Sequence, residues 1–263
     1  MQYPAIMGLC EVENETVLND LTQQTSLNKY HYGVVHQESP DYRGIDNALI
    51  YQKKLFEVLS TDVITINFPK SVIGEEEYVT RDILHVVGKF NGKAKLHIFV
   101  NHFPSRYGGR EQSEPKRLYV AQQLKKAIDN IFAADSKANI LVMGDLNDEP
   151  DNNSVAKTLE ALPELKNTKN PTLVNCAAKL DQEGKGTYNF RGNWNMLDQI
   201  IVSSPLLNKK SKLGIGEFFI HQEKWMMYEN KKYGLTPSRT YGGPNYYGGI
   251  SDHLPVYIEV KTD

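Results

Sequence analysis

Short apolar runs, four to six residues long and rich in Val and Ile, recur along this 263-residue chain and limit what it can fold into. They fall at 5–10, 48–51, 63–68, 83–87, 96–100, 140–143, 197–202 and 256–260. Runs of this length and composition carry the strand signature. Helical patterns interrupt them. One is expected at 14–21. A longer one at 113–131 places Leu118, Ala121, Leu124, Ala127, Ile128 and Ile131 on one face, with Ser113 as cap and Pro115 in the first turn. A third is expected at 154–162, ended by Pro163. Strands outnumber helices without strict alternation. A mixed α/β arrangement follows, with helices covering packed sheets.

No internal repeat or low-complexity linker divides the chain, and its length suits a single domain spanning 1–263. Lys plus Arg number 30 against 32 Asp plus Glu, a net charge of −2. That balance excludes a wholly electrostatic nucleic-acid binder but permits a local phosphate pocket. A charge of +4 over 205–249 contrasts with −5 over the first 42 residues. Cys10 and Cys176 form neither a disulfide framework nor a zinc spacing and read as buried small hydrophobes. No apolar run approaches the ~18 residues of a membrane span. Met1 to Pro4 leads directly into an apolar run, so no signal peptide is expected. A soluble protein is expected, with compartment left open and no protein partner indicated.

Four segments share one layout, an apolar strand running into a cluster of catalysis-capable side chains. They are GLCEVEN with Glu11, FVNHFPSRYGG with Asn101 and His102, LVMGDLNDEP with Asp145 and Asn147, and GGISDHLPVYIEV with Asp252 and His253. A fifth, NMLDQIIVS, puts Asp198 at the head of a strand. Strand ends gathered along one sheet edge would unite these groups. Carboxylates with an amide and no thiolate suit Mg²⁺ or Mn²⁺ better than zinc. An Asp behind a His fixes its tautomer and favours the imidazolium. Together these are the parts for metal-assisted attack of water on a phosphoester.

Each motif alone has a plainer reading. Glu11 precedes a helix and would serve its dipole. Asp145 and Asn147 are ordinary turn residues, and Asp252–His253 is a turn before the last strand. Arg43 in RGIDNALIYQ is a phosphate contact or a surface ion pair. Arg106 and Arg110 hold further phosphates or line a solvated loop. Trp194 and the cluster Tyr241, Tyr246 and Tyr247 stack on bases or anchor loops.

Taken together and in this order, the segments resemble the endonuclease/exonuclease/phosphatase superfamily. GLCEVE matches its metal-binding Glu segment, VNHFPS its first His, GDLND its Asp-x-Asn motif, LDQIIVS its His-orienting Asp, and SDHLPV its terminal Asp-His. The resemblance implies a four-layer α/β sandwich, two mixed β-sheets packed face to face with helices outside. It implies that Glu11 holds Mg²⁺ or Mn²⁺, completed by Asp252. It further implies that Asp145 orients or deprotonates the attacking water and Asn147 binds the phosphoryl group. Asp198 would back His253 against a phosphate oxygen, with His102 on the other side. Asn101, Arg43, Arg106 and Trp194 are the candidate substrate contacts. Members of the superfamily begin with a strand ending in Asn, well before the Glu motif. Here only ten residues precede Glu11, and Asn14 lies on the wrong side of it. The expectation is therefore an N-terminally shortened domain lacking that first strand. The implied activity is a divalent-metal-dependent phosphoester hydrolase, foremost a nuclease-like phosphodiesterase with nucleic acid among its substrates. A small-molecule or lipid-headgroup phosphoesterase, or a catalytically degraded binding protein, are the alternatives.

Overall fold

The computed structural model describes residues 3–165, 170–208 and 213–262. Its first half holds strands β1 (Ile6–Val12), β2 (Tyr32–His36), β3 (Asp46–Gln52), β4 (Phe56–Ile64), β5 (Ile83–Phe90), β6 (Ala94–His102) and β7 (Asn139–Asp145). Helices α1 (Glu15–Gln23), α2 (Lys70–Ile73) and α3 (Arg110–Ala134) lie between them. Next come β8 (Ala161–Leu162), β9 (Leu173–Asn175), α4 (Ala178–Gln182), β10 (Tyr188–Phe190), β11 (Asn193–Asn195) and β12 (Asp198–Ser203). The chain continues through β13 (Leu213–Ile220), β14 (Met227–Asn230), β15 (Gly234–Pro237), β16 (Tyr241–Gly242), β17 (Asn245–Tyr246) and β18 (Val256–Thr262).

Seven strands form the main sheet in the order β4-β5-β6-β7-β12-β9-β8. β6 and β7 run parallel, and α3 supplies the long crossover that a parallel pair needs. Alternation along the central strands sends side chains to two cores. Leu96, Ile98, Val100, Leu141, Ile200 and Val202 face the smaller sheets. Phe99, Ile140, Val142 and Ile201 face Val120, Leu124 and Ile128 of α3. On the opposite side Leu18 of α1 packs on Tyr32, Ala48 and Ile50 of the three-stranded sheet β1-β3-β2. The layers are thus helix, small sheets, large sheet, helix, the four-layer α/β sandwich expected. The second sheet layer is in two pieces. β13 pairs with β18, and among the described residues no ladder joins that pair to β1-β3-β2.

Several expected elements differ. α3 begins at Arg110, and Ser113 lies inside it, its Oγ donating to the Gly109 carbonyl at 2.6 Å rather than capping. The expected helix at 154–162 is a π-helical stretch, Asn153–Thr158, followed by β8. There Ser154 Oγ donates to buried Asp148 at 2.7 Å, and Ala161 and Leu162 are drawn into parallel pairing with β9. The run at 63–68 leaves β4 at Ile64, because the Asp82 carboxylate takes over the Ile66 N–H at 3.3 Å. β2 and β13 were not expected, since glycines interrupt their apolar runs. The segments 184–195 and 227–252 contain the short hairpins β10–β11, β14–β15 and β16–β17. No described helix is long and apolar enough to cross a membrane. Cys10 and Cys176 are free, and burial raises both thiols to about 12, in keeping with the inert role expected.

Candidate active site

Sheet register assembles the site. His102 pairs with Asp145 across the parallel β6–β7 ladder, and Asp198 pairs with Asp145 across β7–β12. Three chemistry-bearing side chains therefore stand in one row at the end of three adjacent strands. Gly144 makes this approach possible. Its φ is +125°, and a Cβ there would meet the Asn101 carbonyl oxygen at 2.0 Å.

His253 joins the row from the far end of the chain. Its Nδ1 lies 2.7 Å from Asp198 Oδ2. Thr187 ties the two backbones, accepting from the Asp198 N–H at 3.1 Å through Oγ1 and from the Leu254 N–H at 2.9 Å through its carbonyl. The Tyr188 ring packs against the imidazole with centroids 4.8 Å apart. Ligand atoms of Asp145, Asp198 and His253 all lie within 4.8 Å of one another. Because Asp198 and His253 already engage each other, this trio reads as a carboxylate beside a His–Asp pair rather than a metal cage.

The two histidines take opposite charge states. Burial pushes the His253 imidazolium down, but the charges of Asp198 and Asp145, the hydrogen bond to Asp198 and the charge of Asp252 outweigh it, raising the pKa to about 10. For His102, burial and then the cations Arg81, Arg43 and His253 all act downward, holding the pKa well below its ordinary value. His102 is neutral, its Nε2 3.5 Å from Asp145 Oδ2 and its Nδ1 buried without a partner. Burial raises Asp145 to about 6, with the His253 charge opposing and Asp198 reinforcing. Such a carboxyl is poised near neutrality, where a general base works best.

Glu11 sits at the bulge between Leu9 and Val12 with φ +58°, a conformation uncommon outside glycine. Its side chain is 58% exposed, with Oε1 3.5 Å from Arg43 Nη1. Arg43 also faces Asp41 at 3.3 Å, whose other oxygen accepts from Arg81 at 2.9 Å. Glu11, Arg43, His102, Asp145, Asn147, Asp198, Asp252 and His253 all line one continuous cavity.

Three candidate contacts fare differently. Asn101 is buried inside the sheet, donating to the carbonyls of Phe99 and Met143, and does not line that cavity. Trp194 on β11 is likewise absent from its walls. Arg106 reaches the cavity, but its guanidinium is engaged by the Asn147 carbonyl at 2.7 Å, Asn195 at 2.9 Å, Asn152 at 3.1 Å and Glu149 at 3.3 Å. It clamps the loop after β7. Asn147 has φ +49° and donates its amide to the Phe103 carbonyl at 2.9 Å and to Asp145 Oδ2 at 3.2 Å, leaving Oδ1 as the free polar atom of its side chain to consider.

Sequence reasoning missed Arg81. This buried guanidinium donates to Asp41 and to the His102 and Phe103 carbonyls at 2.9 and 2.8 Å, fixing the end of β6. It also missed the buried Arg117–Asp148 pair at 2.8 Å, which anchors the loop to α3. No motif flags Arg81. Asp148 lies within GDLNDEP but reads there as a turn residue. A second grouping, His36 at the end of β2, Asp46 at the start of β3 and Glu38 in the loop between them, has His36 and Asp46 binding each other at 3.0 Å.

The sequence profile of the Endonuclease/Exonuclease/phosphatase family matches residues 1–262. The chain belongs to that family. Similar solved structures share its fold at low identity. The human Nocturnin catalytic domain with bound sulfate is 17% identical with a TM-score of 0.60, covering 99% of this chain and 82% of that one. A humanized D. rerio TDP2 is 17% identical with a TM-score of 0.60, covering 98% and 86%. A Bacteroides thetaiotaomicron mannosyl-6-phosphatase is 14% identical with a TM-score of 0.60, covering 98% and 85%. No curated protein sequence matches the chain. Members of this family are hydrolases of phosphoester bonds and generally depend on a divalent metal.

Proposed function

We propose that this protein is a divalent-metal-dependent phosphodiesterase of nuclease-like type. The observation that carries the reading is the row His102–Asp145–Asp198 closed by His253, with a carboxylate near pKa 6 beside an imidazolium and opposite a neutral imidazole. Asp145 accepts the proton of the attacking water. The His253 imidazolium, held in one orientation by Asp198, donates through its outer nitrogen to a phosphoryl oxygen as charge develops there. His102 remains neutral and donates or accepts within the same pocket without adding charge. Arg43, 39% exposed on its side chain at the cavity wall, offers a fork for a further oxygen.

The donors fit a hard cation. Glu11 and Asp252 present carboxylate oxygens to the cavity that holds Asp145, and no described thiol does so as a thiolate, since burial keeps Cys10 protonated. Glu11 and Asp252 would hold Mg²⁺ or Mn²⁺, which when bound supplies Lewis-acid neutralisation of the phosphoryl charge.

An extended substrate is favoured over a small monoester by the rim. Tyr107 is 94% exposed, and Phe190, Tyr241 and Arg110 also line the open cleft, a set suited to stacking on bases along a phosphate backbone. Among the similar structures, D. rerio TDP2 is complexed with a single-strand DNA product. Hydrolysis of bis(p-nitrophenyl) phosphate and of a fluorescent oligonucleotide, with Mg²⁺ or Mn²⁺, tests the reading. Turnover abolished by EDTA and by Asp145→Asn is expected. Turnover surviving either control overturns it.

A further inference from the structure

We propose that Arg43 is a cation placeholder at Glu11, which the carboxylate exchanges for a divalent metal, so that the guanidinium is released to the substrate phosphate. The exchange rests on the metal-dependent reading above and deepens it, because it makes phosphate binding depend on prior metal binding through one side chain.

The contacts of Arg43 fix where it can point. Its backbone N–H and its Nε both donate to Asp41 Oδ1, at 2.9 and 3.3 Å. Asp41 is buried, and its other oxygen accepts from buried Arg81 at 2.9 Å. Arg81 in turn donates to the His102 and Phe103 carbonyls. The stem of Arg43 is thus pinned to the frame that ends β6. The outer end of its fork is directed at Glu11, with Nη1 3.5 Å from Oε1.

The two halves of this relay differ in strength. Arg81–Asp41 is short and enclosed, the arrangement in which losing one partner is costly. Arg43–Glu11 is longer and open to solvent on both sides, and pairs of that kind are weak enough to be exchanged. A divalent cation carries twice the charge of a guanidinium and attracts a carboxylate about twice as strongly at equal distance. Both cations cannot share Glu11 without repelling each other, so the weaker one leaves. Glu11 and Arg43 line the cleft that holds Asp145 and His253. With burial and Arg81, the charge of Arg43 also keeps His102 neutral, which places that charge close to the catalytic row. A guanidinium released at this wall matches the geometry of two phosphate oxygens.

Mn²⁺ binding to the 263-residue protein, followed by electron paramagnetic resonance without substrate, tests the exchange. Arg43→Gln should bind Mn²⁺ about three- to tenfold more tightly than wild type, because the competing cation is gone. Arg110→Gln removes another cation from the same cleft, one that faces Glu149 at 3.9 Å rather than Glu11, and should shift the affinity less than twofold. Dimethyl phosphate should tighten Mn²⁺ at least fivefold more in the wild type than in Arg43→Gln, since coupling between two ligands is reciprocal. Equal tightening by both arginine variants would reduce the effect to net charge and overturn the proposal. So would an unchanged Mn²⁺ affinity in Arg43→Gln, or equal phosphate coupling in the two proteins. Glu11→Gln separates this failure from failure of the catalytic reading. Binding lost in Glu11→Gln yet unmoved in Arg43→Gln defeats the placeholder alone, whereas binding indifferent to Glu11 defeats both.

Discussion

His253 Nδ1 and Asp198 Oδ2 lie 2.7 Å apart although 55 residues separate them in the chain. The contact is a product of sheet register. Asp198 opens β12 opposite Asp145, and Thr187 ties both the Asp198 and Leu254 backbones to one position. The imidazole is thereby oriented by one carboxylate while lying within reach of a second.

Replacing Asp198 by Asn keeps the shape of this contact and removes its charge. The His253 pKa, raised to about 10 with both carboxylates present, should fall. The rate should drop by about 10²–10⁴ at neutral pH, and the alkaline limb should move to lower pH. A pH profile of kcat/KM measures both. An unchanged alkaline limb would show that Asp198 does not set the charge on His253.

On the proposed mechanism Asp145 supplies the acid limb. Its folded pKa is raised to about 6, so the basic form is lost as pH falls through that value. Activity should decline about tenfold per pH unit below 6, in the wild type alone, and Asp145→Asn should be inactive throughout. A profile flat down to pH 4.5 would remove Asp145 as the base.

The Arg106 guanidinium is engaged by Asn147, Asn195, Asn152 and Glu149, an arrangement that reads as a clamp on the loop after β7. Arg106→Met should lower stability by about 2–3 kcal/mol in urea unfolding, since hydrogen bonds to charged groups contribute ~1.5–3 kcal/mol each and only part is lost net. Its activity loss should be equal for a small diester and an oligonucleotide. A selective loss on the oligonucleotide would return it to substrate binding.

Gly144→Ala should fail to fold or lose at least ~3 kcal/mol. A Cβ at φ +125° would sit 2.0 Å from the Asn101 carbonyl oxygen, a backbone atom that cannot swing away. Thermal unfolding checks this. A melting temperature within a degree of wild type would mean that β6 and β7 can part near the site.

The chemistry-bearing residues were legible because each stands at one end of an apolar strand, and strand ends congregate. Glu11, His102, Asp145, Asp198, Asp252 and His253 were all found that way and all line one cavity. Arg81 was not, because it stands in a loop between elements and acquires its role only by burial against Asp41 and two carbonyls. Arg106 and Asn101 looked available in the sequence, yet the first is engaged by the loop after β7 and the second is enclosed in the sheet.

The sequence by itself determined the strand-rich order, the crossover helix between β6 and β7, and the identity of the groups that meet. Periodicity and residue chemistry are local properties, and they survive without coordinates. Only the tertiary structure decided which side chains are already engaged and which histidine carries charge. Those depend on burial and on neighbours distant in the chain, because desolvation, Coulomb interaction and strand pairing act through space and not along the sequence.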